Sequence, residues 1–215
     1  MSKLVIFDLD GTIIDSVQDI MDSVNVTLKQ FGYPERSLDE IKQFIGNGAR
    51  NLIKKSLGGM ETEEKIDECL AYYNEHYTNS GSPKTKVFDG LEDVFINLKS
   101  KGYKLAILTN KPQMTTDDVY KNYLSKFEFD CVVGQRTGNK IKPNPEMVFA
   151  IMKEVGAEKE DVYFVGDGDT DVQVALNASI NGISALWGYR TKSQLEQVGA
   201  KTFAKTPSEL INIIR

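Results

Sequence analysis

The chain has 215 residues, of which 40% are hydrophobic and 27% are charged, and its formal net charge is −5. This composition indicates a globular protein, and the length accommodates one domain or one domain with a smaller domain inserted. The negative net charge argues against a nucleic-acid or anionic-membrane partner, and no apolar run approaches the roughly 18 residues that span a bilayer.

Five short apolar runs predict buried strands, because they lack the alternation of a strand that has one face in water. They comprise residues 3–7, 104–108, 131–133, 162–165 and 183–186. Apolar residues at helical spacing over 91–98 and 147–155 predict helices between the strands. Such alternation is typical of an α/β fold with an open, doubly wound parallel sheet, which is the fold class we expect.

Residues 16–83 interrupt this alternation, because no strand pattern occurs there. Helical patterns cover residues 14–31, 38–45, 49–57 and 61–77, and a turn-rich stretch follows at 79–83. A crossover of this length without a strand is uncommon, so an inserted all-helical domain explains the segment better. We therefore expect a core domain of residues 1–15 and 84–215 and a helical cap domain of residues 16–83.

Two carboxylates follow the first predicted strand. Asp8 and Asp10 are two residues apart, so they point to the same side if the strand geometry continues. Like charges at this spacing repel unless a cation or a shared proton relieves them. Because ligands of an open parallel sheet bind beyond the carboxyl ends of its strands, this pair is a candidate catalytic or metal site. The alternative is an Asp-Gly turn in which Asp10 caps a helix.

Candidate phosphate ligands occur at two further positions. Thr109 and Asn110 follow the second predicted strand and offer a hydroxyl, an amide and the backbone amides of a following helix. Lys142 stands directly before Pro143 at a helix entry, where a cation could neutralise phosphoryl oxygens. The alternatives are that Thr109 and Asn110 are ordinary helix caps and that Lys142 is a solvated loop lysine.

Three more acids, Asp167, Asp169 and Asp171, stand at alternate positions after the fourth predicted strand. A calcium-binding loop would need Gly and Glu where this chain has Val172 and Ala178. The calcium interpretation therefore fails. A short turn that places one or two carboxylates on a hydrated Mg²⁺ ion fits better.

These strand-end motifs resemble those of the haloacid-dehalogenase-like (HAD) phosphohydrolase superfamily. Its first motif, Asp-x-Asp-Gly-Thr after a hydrophobic strand, matches residues 8–12. Its other motifs are a strand-terminal Thr or Ser, a Lys followed by Pro, and Gly-Asp-x-x-x-Asp, matched by Thr109, Lys142 and residues 166–171. The helical insert also lies where members with a small four-helix cap carry it. The resemblance implies a Rossmann-like core and a Mg²⁺-dependent phosphatase.

The resemblance also implies a role for each motif residue. Asp8 would attack phosphorus and form an aspartyl-phosphate, and Asp10 would protonate the leaving group and then activate water. Mg²⁺ would be bound by Asp8, the Asp10 carbonyl and Asp167, with Asp171 supporting them. The phosphate would be bound by Thr109, Asn110 and Lys142. An anionic nucleophile needs such cations to approach a phosphate dianion.

Asp10 also separates the branches of the superfamily, because the dehalogenases lack a second acid there. Residues 45–49 and 187–190 resemble the bacterial phosphoglycolate phosphatases, which implies 2-phosphoglycolate as the substrate. Pyrophosphate, nucleoside monophosphates or sugar phosphates are the alternative substrates. A phosphotransferase similar to β-phosphoglucomutase is a further alternative.

Two residues of the predicted cap, Asn47 and Arg50, are the candidates for substrate specificity. Arg50, or its neighbour Lys54, could bind a substrate carboxylate from the cap side. The alternative is that both cations lie on a solvated helix face.

The remaining features concern compartment and partners. Cys69 and Cys131 lack metal-type spacing and fit a reducing compartment better than a disulfide framework. The apolar run at residues 4–7 is too short for a signal peptide. We expect a cytoplasmic monomer or homodimer whose partner is a small phosphate ester, with no nucleic-acid or membrane partner.

Overall fold

The computed structural model describes residues 2–215, and eight strands form within them. In chain order they are β1 (Leu4–Phe7), β2 (Ile14–Asp15), β3 (Lys86–Val87), β4 (Lys104–Pro112), β5 (Cys131–Gln135), β6 (Val162–Gly166), β7 (Asn181–Ala185) and β8 (Phe203–Ala204). Six of them form one parallel sheet in the order β5-β4-β1-β6-β7-β8, and β2 pairs antiparallel with β3. The predicted α/β class is confirmed.

Helices fill the connections between these strands. In chain order they are α1 (Val17–Gln30), α2 (Leu38–Phe44), α3 (Gly48–Ser56), α4 (Glu63–Ser80), α5 (Leu91–Ser100), α6 (Gln113–Val119), α7 (Glu146–Val155), α8 (Asp169–Ala178), α9 (Lys192–Gln197) and α10 (Leu210–Ile213). A π-helical turn at Tyr120–Leu124 continues α6. Among the helices of residues 2–215, none combines the length and apolar composition that a membrane-spanning segment requires.

Three differences from the predicted elements have local causes. The helix predicted over residues 14–31 begins at Val17, because the residues of β2 pair with β3 instead. β4 runs past its predicted end at residue 108, after a shift in its register with β5. The sequence reading missed β8, since two residues are too few to produce a periodic pattern.

The sheet carries an apolar layer on each face. Because side chains alternate along a strand, Val5 and Phe7 of β1 enter one layer and Leu4 and Ile6 enter the other. Residues of α5 and α10 complete the first layer, and residues of α7 and α8 complete the second. A sheet covered on both faces explains why its strands read as continuous apolar runs.

The four helices α1–α4, called the insert below, have an apolar cluster of their own. It includes Ile20 of α1, Ile41 of α2, Leu52 of α3 and Tyr73 of α4, all buried. Tyr189, from the chain after β7, packs into the same cluster. The insert therefore has its own core, which the segment after β7 joins through Tyr189.

The two connections between the insert and the rest of the chain lie side by side. β2 and β3, one from each connection, are hydrogen-bonded to each other. Asp19 at the start of α1 accepts hydrogen bonds from the Lys84 backbone N–H (3.0 Å) and the Thr85 hydroxyl (2.7 Å). α4 ends at Gly81, whose φ of 69° is in the left-handed region that favours glycine. Both ends of the insert are thus fixed at one point.

Substitution of Phe95 in α5 tests the apolar layer that packs against β1. The Phe95 ring contacts those of Phe7, Phe127 and Phe129 at centroid distances of 5.1 to 5.3 Å. We expect Phe95→Ala to lower the free energy of unfolding by about 3–5 kcal/mol, because it leaves a cavity beneath β1. The neighbouring Ile96→Ala is the control, since Ile96 is 64% exposed, and it should change stability by less than about 0.5 kcal/mol. Equal effects in urea unfolding would contradict the assignment of this core.

Candidate active site

The carboxyl ends of the three central strands meet at one edge of the sheet. β1 lies between β4 and β6, and Asp8 and Asp167 directly follow β1 and β6, while Thr109 follows the part of β4 that pairs with β1; all three are buried. The Asp8 backbone N–H donates to the Val165 carbonyl (2.9 Å), which extends the strand pairing to Asp8. The chain reverses its direction across the sheet at β1, and ligands of open α/β sheets bind at such a point.

A buried lysine lies between two carboxylates at this edge. Lys142 Nζ is 2.7 Å from Asp8 Oδ1 and donates a hydrogen bond of 2.6 Å to Asp171 Oδ1. The Lys142 side chain is only 2% exposed, a position that a cation occupies only when it is paired. Lys142 is therefore not the solvated loop lysine that its sequence context also allowed. Asp8 Oδ1, although close to Lys142, has no hydrogen bond of acceptable angle.

Asp8, Asp167 and Asp171 form a cluster that fits a hard divalent cation. One oxygen of each carboxylate lies within 4.8 Å of the others, and Mg²⁺ prefers oxygen ligands. Asp167 is oriented by hydrogen bonds from the Thr12 hydroxyl (2.9 Å) and the Tyr189 backbone N–H (2.7 Å). A single lysine opposes the three carboxylates, so a bound cation would balance the remaining negative charge.

Glycines allow the backbone to approach these acids closely. A Cβ atom on Gly188 would lie 2.2 Å from the Cβ of Asp167, and one on Gly11 would lie 2.4 Å from its Oδ2. A Cβ on Gly166 would lie 2.3 Å from the Cβ of Asp171. The loops after β1 and β7 can therefore enclose Asp167 only if glycine stands at these positions.

Burial and mutual repulsion raise the pKa of two of the carboxyls. Burial, and then the charge of Asp171, raise the pKa of Asp8 from 3.8 to about 7, against the opposing effect of Lys142. Burial and the charges of Asp171 and Asp8 raise the pKa of Asp167 to about 8. Burial lowers the pKa of Lys142, but the same two acids outweigh it and the net shift is upward. Without a metal ion, the site therefore favours bound protons.

Asp10 contacts a different set of groups. Its Oδ1 accepts a hydrogen bond from the Ser16 hydroxyl (2.6 Å), and Lys111 Nζ donates to Oδ1 (3.1 Å) and Oδ2 (3.2 Å). Lys111 Nζ also lies 3.0 Å from the hydroxyl of Tyr77 in α4. Burial lowers the pKa of Lys111, but Asp10 together with Tyr77 and Tyr73 outweighs this effect and raises the pKa, so the lysine stays charged. Asp8 and Asp10 thus have separate cationic partners.

The side chain of Asn110 binds backbone groups. Its Nδ2 donates to the carbonyls of Gly46 (2.8 Å) and Lys142 (3.0 Å), and its Oδ1 accepts from the Lys142 N–H (2.9 Å). Both amide hydrogens are used, so the side chain of Asn110 fixes Lys142 and the loop before α3, and the phosphate contact expected of this residue stays a prediction. The Thr109 hydroxyl accepts from the Lys111 N–H (3.2 Å) and keeps its own hydrogen to donate.

A cleft opens between the strand ends and the insert. The strand ends contribute its polar wall, with Asp8, Asp10, Thr109, Asn110 and Lys111. The insert contributes apolar side chains of α1, α3 and the loop before α3, namely Ile20, Ile45, Ala49 and Leu52. A ligand in this cleft would meet the polar groups of the strand ends on one side, and aliphatic groups together with Tyr73, Asn74 and Tyr77 of α4 on the other.

The two candidate specificity residues of the insert are adjacent in sequence to residues of this wall but do not line it themselves. Within residues 2–215, the wall of the cleft includes Ala49 but neither Asn47 nor Arg50. Arg50 pairs with Glu63 (2.5 Å) and Asp67 of α4, and its side chain is 43% exposed. Successive helical residues point in different directions, so Ala49 faces the cleft while Arg50 faces α4. The expectation that Asn47 and Arg50 bind the substrate stays a prediction, and the ion pairs of Arg50 with α4 do not favour it.

Sequence reasoning missed three residues that join the insert to the site. Lys111 and Tyr77 meet beside Asp10, and Arg190 Nη2 donates to the carbonyl of Ile45 (2.9 Å) beyond the end of α2. Arg190 is buried and also contacts the Lys42 carbonyl. For Lys111 the available signal was its position directly after Asn110. No periodic pattern marks the other two.

The raised pKa values predict how Mg²⁺ affects stability. Protons held up to about pH 7 and 8 on Asp8 and Asp167 must leave before a cation binds, so Mg²⁺ should bind better as pH rises. In the metal-free protein, the raised pKa values of these carboxyls stabilise the folded state, and this stabilisation is complete below the unfolded pKa of 3.8. It is lost as pH rises through about 7 for Asp8 and about 8 for Asp167. We expect MgCl₂ to raise Tm more at pH 8 than at pH 6.

Thermal unfolding at matched ionic strength measures this difference. Asp167→Asn removes one of the two carboxyls with a raised pKa and should abolish most of the pH-dependent increment. An equal Mg²⁺ shift at both pH values, or an unchanged increment in the variant, would contradict the proposed metal site.

Comparison with known proteins gives the family. The family described as haloacid dehalogenase-like hydrolase matches residues 5–185. Phosphoglycolate phosphatase 1 of Pseudomonas aeruginosa is 35% identical over 194 residues, which cover 88% of this chain and 71% of the relative. Phosphoglycolate phosphatase of Aquifex aeolicus is 32% identical, over 99% of this chain and 96% of the relative.

A solved structure agrees over the whole length of both chains. A protein from Lactobacillus delbrueckii subsp. bulgaricus, whose name gives phosphoglycolate phosphatase as a candidate activity, has a TM-score of 0.93 and 27% identity. The match covers 100% of this chain and 99% of that one. The strand-end acids, the parallel sheet and these relatives agree: this chain belongs to the haloacid dehalogenase-like hydrolase family and is a phosphatase of that family.

Proposed function

We propose that the enzyme hydrolyses a small phosphomonoester, 2-phosphoglycolate, through a phosphoryl group carried on Asp8. The observation that carries the proposal is the separation of two acids at the end of β1. Asp8 lies in the buried cluster with Lys142, and Asp10 lies on the same cleft beside Lys111. One carboxylate is thereby available to attack and the other to transfer a proton.

In the first step an Asp8 carboxylate oxygen attacks phosphorus, and the bond from phosphorus to the ester oxygen breaks. The departing alkoxide oxygen takes a proton from Asp10, so the alcohol leaves neutral. Lys142, 2.7 Å from Asp8 Oδ1, is close enough to offset the charge on the transferring phosphoryl oxygens. The Thr109 hydroxyl can donate a hydrogen bond to one of them.

In the second step water replaces Asp8 on phosphorus. The Asp10 carboxylate accepts a proton from the water, whose oxygen forms the new bond to phosphorus. The bond between phosphorus and Asp8 breaks, which restores the Asp8 carboxylate and releases inorganic phosphate. Ser16 and Lys111, both in contact with Asp10, hold its carboxylate in place between the two steps.

Asp8, Asp167 and the Asp10 carbonyl are the groups we assign to Mg²⁺. Asp171 supports them indirectly, because it holds Lys142 beside Asp8. When bound, Mg²⁺ supplies positive charge that reduces the repulsion between the attacking carboxylate and the phosphate.

The form of the cleft supports a small substrate. Aliphatic side chains of α1 and α3 make up part of its insert-facing wall, and Tyr73, Asn74 and Tyr77 of α4 make up the rest. A CH₂ group beside the phosphate fits this wall. The names of the relatives support 2-phosphoglycolate in particular.

The insert is the part we assign to substrate selection. We propose that residues 16–83 form a cap over a core of residues 1–15 and 84–215. Its separate apolar cluster and the paired strands at its two ends support this division. Such a cap can exclude water and select substrates by fit while the strand ends carry out the chemistry.

Asp8→Asn tests the nucleophile. The amide has nearly the same shape but does not attack phosphorus, so turnover should fall by about 10³-fold or more while the far-UV spectrum is unchanged. The exposed Asp118→Asn is the matched control and should keep wild-type turnover. If Asp8→Asn retained wild-type activity in the same phosphate-release assay, another group would have to be the nucleophile.

A substrate panel tests the assignment of the substrate. With Mg²⁺, kcat/KM for 2-phosphoglycolate should exceed the values for AMP, glucose 6-phosphate and pyrophosphate, because AMP and glucose 6-phosphate carry much larger groups on the ester CH₂ and pyrophosphate has no carbon on its bridging oxygen. Activity on every substrate should disappear in excess chelator and return with Mg²⁺. A preference for pyrophosphate or a nucleotide would overturn the substrate, and full activity in chelator would overturn the metal.

A further inference from the structure

We propose that Lys111 binds the carboxylate of the substrate and selects phosphomonoesters that carry a carboxylate on the carbon next to the ester oxygen. The inference rests on the proposed function and adds the residue that recognises the leaving group. It replaces the role that the sequence pattern suggested for Arg50.

Lys111 lies where the core and the insert meet. Its side chain is 6% exposed, and its Nζ contacts Asp10 of the core and the hydroxyl of Tyr77 of the insert. The same Nζ lies 4.6 Å from the centre of the Tyr77 ring. Both Lys111 and Tyr77 line the cleft. The ammonium group is therefore held at the inner end of the cleft rather than in solvent.

The other nearby cations have different partners. Among the described residues that line the cleft, Lys111 is the one with a cationic side chain. Lys142 is bound between Asp8 and Asp171, on the phosphoryl side. Arg50 pairs with acids of α4 and lies off the wall. A second anionic group of a substrate would thus find its counter-charge at Lys111.

The distances agree with the chemistry of such a substrate. Asp10 gives its proton to the ester oxygen, so that oxygen must lie within a hydrogen bond of the Asp10 carboxylate. In an α-carboxylated ester a single carbon separates this oxygen from the carboxylate. Lys111 Nζ is 3.1 Å from Asp10 Oδ1. An ester oxygen that is hydrogen-bonded to Asp10 therefore lies close to Lys111 as well. A substrate with a neutral group at the same place would form no ion pair with Lys111.

The test compares two substrates of nearly equal shape. 2-Phosphoglycolate carries a carboxylate where ethyl phosphate carries a methyl group, and the ratio of their kcat/KM values does not depend on the fraction of active enzyme. We expect Lys111→Met to lower this ratio by about 10- to 100-fold, the effect of losing a hydrogen bond to a charged group. Lys111→Arg keeps the charge and should retain most of the ratio. Arg50→Ala should leave it at the wild-type value.

The outcomes separate this inference from the proposed function. If Lys111→Met lowered kcat/KM equally for both substrates, Lys111 would act only by positioning Asp10, and the inference would be wrong while the phosphatase assignment stood. A fall in the ratio for Arg50→Ala with none for Lys111→Met would return the role to Arg50. If wild-type enzyme hydrolysed ethyl phosphate as efficiently as 2-phosphoglycolate, the proposed substrate itself would fail.

Discussion

The concentration of buried negative charge at the end of β1 is the constraint on which the site depends. Asp8, Asp167 and Asp171 lie within 4.8 Å of one another, and Lys142 is bound between two of them. Carboxylates at this burial are stable only as protonated or cation-paired groups. Burial and these same charges raise the pKa of Asp8 and Asp167, so the site favours either bound protons or a bound divalent cation.

Much of the fold followed from the sequence because it depends on short-range patterns. Strands buried on both faces appear as continuous apolar runs, and the five predicted strands are present. The positions of Asp8 and Asp167 followed as well, since parallel strands bring their carboxyl ends to one edge. β2 and β8 did not, because each has two residues and is defined by its partner strand rather than by its own sequence.

The spacing of residues in the sequence did not predict which groups the long side chains of Arg50 and Lys111 contact. Arg50 had the charge and the segment expected of a carboxylate-binding residue, but Glu63 and Asp67, more than ten residues later, bind it instead. The position of Lys111 directly after Asn110 was its one signal, and this position did not separate it from a solvated lysine. Its burial against Tyr77 arises only when the insert folds over the strand ends. The contact between the insert and the strand ends is thus the part of the site that sequence patterns predict least well.

The claim that Asp8 carries the phosphoryl group can be tested directly. Asp10→Asn should block the second step, and an aryl phosphate, whose leaving group needs no proton, should still complete the first. Acid quenching followed by mass spectrometry of the peptides should then show a phosphoryl group on Asp8. Release of the aryl alcohol with no phosphorylated Asp8, or with the phosphoryl group on another residue, would contradict the account.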